Sequence, residues 1–360
     1  SLLEVLRQAE SQGLDAAAIE RVYNEYFFFQ TRKKAVPYQG MLELTPLCNL
    51  NCKMCYVHLT PQQMGERRLL PTDVWLNLID QAEKAGMTKA ALTGGECLTY
   101  PGFDEIYLHL HTLGIRTAVL TNGVLLNEDR IRFFQRYPPA LIQITLYGAS
   151  EDEYEQVCGG RCFETVLANI RRAQQAGLPL SIAITPNRFL SDGGEALLRL
   201  VASLDIPYNI NSCLFTPHPG TGREKDSVDM EMEDYIRLYK LRAQMNGEVI
   251  TSVDPASLPE VARQMEPQKL GLRCGAGMNA FTIQWDGAMI PCSSLFQIRE
   301  SPLRDGFQAA WNAIHEAALR FPIPAECEAC EYNGVCPSCV AIHAQDAPPE
   351  AIRVGGASYP

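Results

Sequence analysis

From Met41 onward the chain repeats one arrangement: a short run of β-branched and apolar residues, a turn, then a segment of helical length whose apolar positions recur every three or four residues. Strands are expected at Met41 to Thr45, Lys89 to Thr93, Thr117 to Leu120, Leu141 to Leu146, Leu180 to Thr185 and Pro207 to Ser212. Helices are expected over Thr72 to Ala85, Asp104 to Leu113, Cys162 to Ala176 and Gly194 to Leu204. Alternation of this kind builds a parallel sheet wrapped by helices, so the fold class is α/β. Six such units make a partial (β/α)6 TIM-like barrel rather than a closed eightfold one. In such folds the reacting groups collect on the loops that follow the strands' C-terminal ends.

The flanks depart from this pattern. Residues 1–36 read as a helical segment of two helices, the second carrying Ile19, Val22, Tyr23 and Tyr26 on one stripe. The barrel, 37–225, runs out in the turn-rich Thr216-Pro217-His218-Pro219-Gly220, and a helix from Met230 to Met245 opens a bridge over 226–268. Residues 269–345 are rich in cysteine and poor in long periodic elements, so this part is expected to depend on bound metal for much of its stability, with 346–360 as a tail.

Composition narrows the partners. Of 360 residues, 31 are basic and 42 acidic, and a net charge of -11 disfavours nucleic acid or an anionic membrane surface. No apolar run is long enough to span a bilayer and the start lacks the features of a secretory signal, so a cytoplasmic protein is expected. There the 13 cysteines, an odd number, point to metal ligation rather than disulfides.

The first cluster, Cys48-Asn49-Leu50-Asn51-Cys52-Lys53-Met54-Cys55, follows the first strand. On spacing alone it fits a zinc site or three corners of an iron-sulfur cubane, and three ligands on a cubane leave one iron open to a small molecule. Gly94-Gly95-Glu96 ends the second strand, where a missing Cβ permits close approach of a ligand. Thr121-Asn122-Gly123 follows the third strand and Thr145-Leu146-Tyr147-Gly148 closes the fourth. Cys97 reads as a small buried hydrophobe. In Cys158-Gly159-Gly160-Arg161-Cys162 the arginine is able to lower a thiol pKa, inert loop thiols being the alternative. Cys213 ends the sixth strand. Near the C-terminus stand Cys274, Cys292 four residues after Gly287, and then Cys327, Cys330, Cys336 and Cys339. A zinc ribbon accounts for the last four alone and leaves Cys274 and Cys292 without a role.

Taken in order, these motifs resemble the radical S-adenosylmethionine (radical SAM) superfamily, and the C-terminal cysteines resemble its SPASM extension. The resemblance implies a 4Fe-4S cluster on Cys48, Cys52 and Cys55, with S-adenosylmethionine chelated to the fourth iron. Met54 takes the place of an aromatic residue near the adenine, and Gly94, Gly95 and Glu96 meet the methionyl amino group. Asn122 and Thr145 lie at the ribose and methionyl carboxylate contacts, and Tyr147, where relatives often carry aspartate, is an active-site candidate. One or two auxiliary 4Fe-4S clusters are implied, the nearer on Cys274, Cys292 and Cys339 and the outer on Cys327, Cys330 and Cys336. The family's last cysteine is absent, and His343 or Asp346 stands in reach as a substitute.

Such an enzyme cleaves its cofactor reductively to a 5′-deoxyadenosyl radical and abstracts hydrogen from a substrate. The favoured substrate is a ribosomally made peptide receiving a thioether, a carbon-carbon link, a ring or a desaturation; the alternative is oxidation or rearrangement of a small metabolite. Sulfatase maturation ranks low because Ser293 stands where those enzymes carry an aspartate base, and an electron carrier needs no cofactor pocket. About 35 residues ahead of the barrel are too few for a leader-binding domain, so leader recognition is expected from a separate leader-binding protein or another surface, beside a flavodoxin- or ferredoxin-type electron donor.

Overall fold

The computed structural model of the chain describes residues 26–65, 68–211, 228–247, 274–328 and 339–341, together with positions 11, 13, 214, 271 and 272. Six parallel strands follow one another in space in sequence order: β1 (Gln39–Glu43), β2 (Lys89–Thr93), β3 (Arg116–Thr121), β4 (Leu141–Leu146), β5 (Leu180–Ile184) and β6 (Tyr208–Ile210). The sheet is open, with β6 at one edge, and the architecture is the expected α/β partial barrel.

Four of the helices that wrap it form where the apolar spacing predicts them, and two further ones, Glu128–Arg136 and Glu151–Cys158, add to the set. In α1 (Thr72–Lys84), Trp75, Leu78, Ile79 and Ala82 are buried, a stripe three and four residues apart that faces the sheet. Next come α2 (Phe103–Thr112), α3 (Glu128–Arg136), α4 (Glu151–Cys158), α5 (Phe163–Gln175) and α6 (Glu195–Ser203). Asn127 and Ser150 cap α3 and α4 by accepting from the backbone N–H of Arg130 and Glu153. Gly159 ends α4 in the left-handed conformation that glycine adopts without a Cβ penalty. α7 (Met232–Met245) lies within the expected bridge.

The C-terminal segment differs from the sequence expectation. It supplies β7 (Ala280–Ile283), which pairs in parallel with β1 on the side away from β2, and β8 (Met289–Ile290), antiparallel to β7. It also supplies the 13-residue α8 (Phe307–Leu319), whose Phe307, Ala310, Trp311, Ile314 and Ala318 are buried. Phe281 of β7 meets the rings of Phe307 and Trp311 edge-on. Much of this segment is therefore held by an apolar core shared with the barrel rather than by ligation alone.

The N-terminal side is tied to the same segment. Residues 26–33 are helical; Asn279 Nδ2 donates to Thr31 Oγ1 at 2.9 Å, and Trp311 Nε1 to the Ala35 carbonyl at 2.7 Å. The first expected helix and most of the second lie outside the described residues. Among the described residues no helix is long and apolar enough to cross a membrane.

Candidate active site

A cavity of about 520 Å³ opens where the strands' C-terminal ends meet their following loops. A smaller one, about 360 Å³, lies at the opposite end of the sheet among Tyr107, His111, Thr117 and Pro138 and carries none of the motif residues. Cys48, Cys52 and Cys55 all border the large cavity. Their loop is anchored to the end of α4, because Asn51 N–H donates to the Cys158 carbonyl and Lys53 N–H to that of Val157.

The thiols accept hydrogen bonds that favour their ionised form: Leu50 N–H lies 3.4 Å from Cys48 Sγ, Asn122 Nδ2 3.5 Å from the same sulfur, and His58 N–H 3.2 Å from Cys55 Sγ. Burial nevertheless pushes the Cys48 thiol far up, and the neighbouring Cys52, Glu96 and Cys55 charges add to the rise. Three close, desolvated thiols of this kind become stable thiolates only beside positive charge, which bound iron supplies. Among the described residues no three His, Cys, Asp or Glu side chains converge on one point as a single-ion site requires. Three thiols bordering one cavity are the donor set that a cubane with one iron left open asks for.

The glycines do something the sequence did not indicate. Gly94 has φ +144°, and a Cβ there would lie 2.3 Å from the Thr45 carbonyl; at Gly95 it would lie 2.3 Å from that of Leu47. Gly95 N–H and Glu96 N–H donate to those two carbonyls at 2.6 and 2.9 Å. The close approach is therefore first to the chain itself, at the residues leading into Cys48, with the glycine backbone also lining the cavity. Gly95→Ala is expected to cost about 1–3 kcal/mol of stability by overpacking and to lower iron uptake by displacing the loop, as measured by urea unfolding and by iron content after reconstitution.

Glu96 is 1% exposed and its carboxylate is engaged by protein donors: Thr121 Oγ1 at 2.9 Å, Asn122 N–H at 2.8 Å and Leu98 N–H at 3.1 Å. It ties the loop after β2 to the loop after β3. Asn122 in turn reaches Asn49 Oδ1 at 2.9 Å, so the second, third and first loops are locked together. Met54, Thr145 and Tyr147 line the cavity, Tyr147 with its ring edge-on to Tyr154. Burial, reinforced by Cys52, raises the Tyr147 hydroxyl well above its usual range, which keeps it protonated.

Elsewhere the expectations divide. Cys97 is fully buried away from the cavity, with Sγ 3.4 Å from the Leu120 carbonyl, as a small hydrophobe. Of the two readings of the Cys158 to Cys162 loop the inert one fits: the Arg161 guanidinium pairs with Asp152 and Glu155 at 2.7 and 2.8 Å, while burial and Glu151 push Cys162 up to about 11. Cys292 lines the large cavity, and burial, with Cys274 and Cys339 as neighbouring charges, pushes it up to about 12. Cys274 and Cys339 are near enough for their charges to act on Cys292, but among the described residues the three thiols do not converge on one point. Cys327 sits in the short helix Ala325–Glu328, whereas Cys213, Cys330, Cys336, His343 and Asp346 lie outside the described residues.

Three residues of this region, Glu43, Gln284 and Tyr56, were not singled out from sequence. Glu43, at the end of β1, is fully buried; its carboxylate accepts from Ser293 Oγ at 2.9 Å and lies 3.4 Å from Gln284 Nε2 and 3.5 Å from the Tyr56 hydroxyl. Ser293 and Tyr56 both border the cavity. All three partners are uncharged, so burial, reinforced by Asp286, pushes Glu43 up to about 7. The available signal was a charged residue interrupting the apolar run Met41-Leu42-Glu43-Leu44.

Comparison with known proteins bears on this arrangement. Residues 42–201, which hold the cysteine triplet and the Gly-Gly-Glu turn, match the model of the radical SAM superfamily. Residues 42–201 are a radical SAM domain. A radical SAM enzyme uses S-adenosylmethionine and a 4Fe-4S cluster. The chain is 28% identical over 324 residues to the AdoMet-dependent heme synthase of Methanosarcina barkeri, covering 83% of this chain and 90% of that one. It is 23% identical over 284 residues to the PqqA peptide cyclase of Streptomyces rochei, covering 78% and 76%. Among solved structures, Streptococcus suis SuiB with S-adenosylmethionine superposes with a TM-score of 0.68 at 16% identity, over 97% of this chain and 85% of that one. SuiB has also been solved with its precursor peptide SuiA.

Proposed function

We propose that this radical SAM enzyme modifies a ribosomally made peptide, forming a thioether, a carbon-carbon link, a ring or a double bond at the expense of hydrogen. Cys48, Cys52 and Cys55 hold the 4Fe-4S cluster. Gly94, Gly95, Asn122, Thr145 and Met54 shape the cofactor's seat, and Glu96 positions Asn122. The bound cofactor pair supplies a strongly oxidising organic radical; the chain's own residues orient the substrate and exclude water. Tyr147, protonated beside Cys52, serves as a hydrogen-bond donor on the substrate side.

The observation that carries this reading is the shared cavity: the cysteine triplet of the barrel and Cys292 and Ser293 of the C-terminal segment open on the same 520 Å³ space. A site built by both parts suits a substrate oxidised at one end and relieved of an electron at the other. In this reading 269–345 is a SPASM unit, with Cys274, Cys292 and Cys339 holding an auxiliary cluster and Cys327, Cys330 and Cys336 an outer one. A flavodoxin or ferredoxin delivers the first electron, a separate protein presents the leader, and the enzyme works in the cytoplasm. The peptide substrates named for the PqqA cyclase and for SuiB support the substrate class. The heme synthase name of the Methanosarcina relative favours a second reading, oxidation of a small metabolite.

The test is anaerobic incubation of the reconstituted enzyme with S-adenosylmethionine, dithionite and a set of synthetic peptides containing Cys, Asp, Lys and Trp. The expected result is 5′-deoxyadenosine together with a peptide lighter by two hydrogens. Nucleoside formation with every peptide unchanged, and a tetrapyrrole consumed instead, would replace the peptide reading by the metabolite one.

A further inference from the structure

Removing two hydrogens from a substrate while a bond forms sheds one of them as a hydrogen atom and the other as a proton plus an electron. The proton needs an acceptor bordering the cavity, and the imidazole of His58, which lines it beside Cys55, is the rival that the experiment below separates. Glu96 is spoken for by Thr121, Asn122 and Leu98. Tyr56 and Tyr147 are phenols, whose protonated oxygen makes a poor proton acceptor. Ser293 lines the cavity and is only 4% exposed, but a hydroxyl alone is a poor base. Its Oγ, however, lies 2.9 Å from Glu43 Oε1, a carboxylate from a strand 250 residues away.

We propose that Glu43, acting through the hydroxyl of Ser293, accepts the proton that the substrate sheds. This rests on the radical oxidation described above. In the step, the substrate X–H bond breaks as an O–H bond forms at Ser293, and the serine's own proton passes to Glu43 Oε1, leaving a neutral carboxylic acid and no change at the serine. No electron moves in this transfer; the electron leaves separately to an iron-sulfur acceptor. Glu43 is thus a positioning and proton-holding residue, while Ser293 is the group that faces the substrate.

Several features suit Glu43 to this. Gln284 Nε2 near its other oxygen fixes the carboxylate plane, and Tyr56 lies on the Oε1 side. The groups that bear on its charge are Tyr56 on the cluster loop and Asp286 beyond β7, neither of them cationic, so nothing holds it permanently ionised. A group that takes a proton and returns it near neutral pH is best served by such surroundings. A purely mechanical role, tying β1 to the C-terminal segment, asks only for hydrogen bonds, which an amide also makes.

That difference decides the experiment. Holoenzyme and its Glu43→Gln, Glu43→Asp, Ser293→Ala and His58→Asn variants are compared for peptide product per 5′-deoxyadenosine, from pH 5.5 to 8.5, on the member of the synthetic set that is modified. Glu43→Gln and Ser293→Ala are each expected to lower that ratio by about a hundredfold and to flatten its rise with pH, and Glu43→Asp to restore much of both. In substrate-free enzyme, infrared titration should show a carboxylic acid C=O band fading near pH 7 that Glu43→Gln removes. Unchanged coupling and pH profile in Glu43→Gln, a loss confined to His58→Asn, or no such band in the wild type overturns the proposal. Ser293→Ala keeps it testable where Glu43→Gln does not fold. A wild type that forms no 5′-deoxyadenosine sinks the reading of the site while leaving the infrared result standing, so the two failures are told apart.

Discussion

A chain carrying Cys48→Ala, Cys52→Ala and Cys55→Ala is expected to lose about four irons per molecule and all reductive cleavage of S-adenosylmethionine. The expectation follows from where the thiols sit. They border one cavity, and their loop is pinned on three sides: by the carbonyls of Val157 and Cys158, by the Gly94-Gly95-Glu96 turn against residues 45–47, and by Asn122. Removing the sulfurs leaves those backbone bonds in place, so the variant should keep its fold and its remaining metal. Iron and acid-labile sulfide assayed side by side on both proteins also count the other clusters. A fall from about twelve irons to about eight means that both auxiliary sites are filled, and a fall from about eight to about four means that the C-terminal segment holds one cluster. An iron content that does not change would place the cluster elsewhere, and zinc in the variant would turn the late cysteines into a ribbon.

How far the sequence carried depends on whether the determining contacts are local. Lys89–Thr93 and Leu141–Leu146 are found where the alternation of apolar runs and turns put them, because strand and helix periodicity is written over a few neighbouring residues. β7 was not foreseen: it is four residues long beside a glycine-containing turn, and only its pairing with β1 makes it a strand. The cysteine triplet was legible because its spacing is the chemistry. Gly94 and Gly95 were legible as places that exclude a Cβ, but the partner they approach, the backbone of residues 45–47, is set by the order of the sheet. The two readings of Cys158 and Cys162 could not be separated from sequence because the partners that take up Arg161, Asp152 and Glu155 on α4, are chosen by the folded helix. Ser293 reads from sequence as a poor base because a hydroxyl is un-ionised at neutral pH, and the carboxylate beside it comes from β1, 250 residues away.

Glu43→Gln is expected to change the pH dependence of stability more than any other single substitution at this site. Glu43 ionises near 4.5 in the unfolded chain and at about 7 in the folded one, because burial opposes its charge. Between these values the folded state holds a proton that the unfolded state has released. The wild type therefore loses stability as pH rises from about 4.5 toward 7 and is level again above that; below 4.5 the carboxyl is neutral in both states and costs nothing. The gap between the two ionisations corresponds to about 3 kcal/mol at alkaline pH. Glutamine cannot ionise, so the variant should gain on the wild type by about that amount between pH 5 and pH 8, read as a widening difference in urea midpoints. Parallel curves for the two proteins would mean that Glu43 is already ionised at acid pH, in a site that compensates its charge by a route other than Ser293, Gln284 and Tyr56. A widening difference would instead show that the fold carries a strained carboxylate against its own stability, which is what a site that must take up a proton near neutral pH requires.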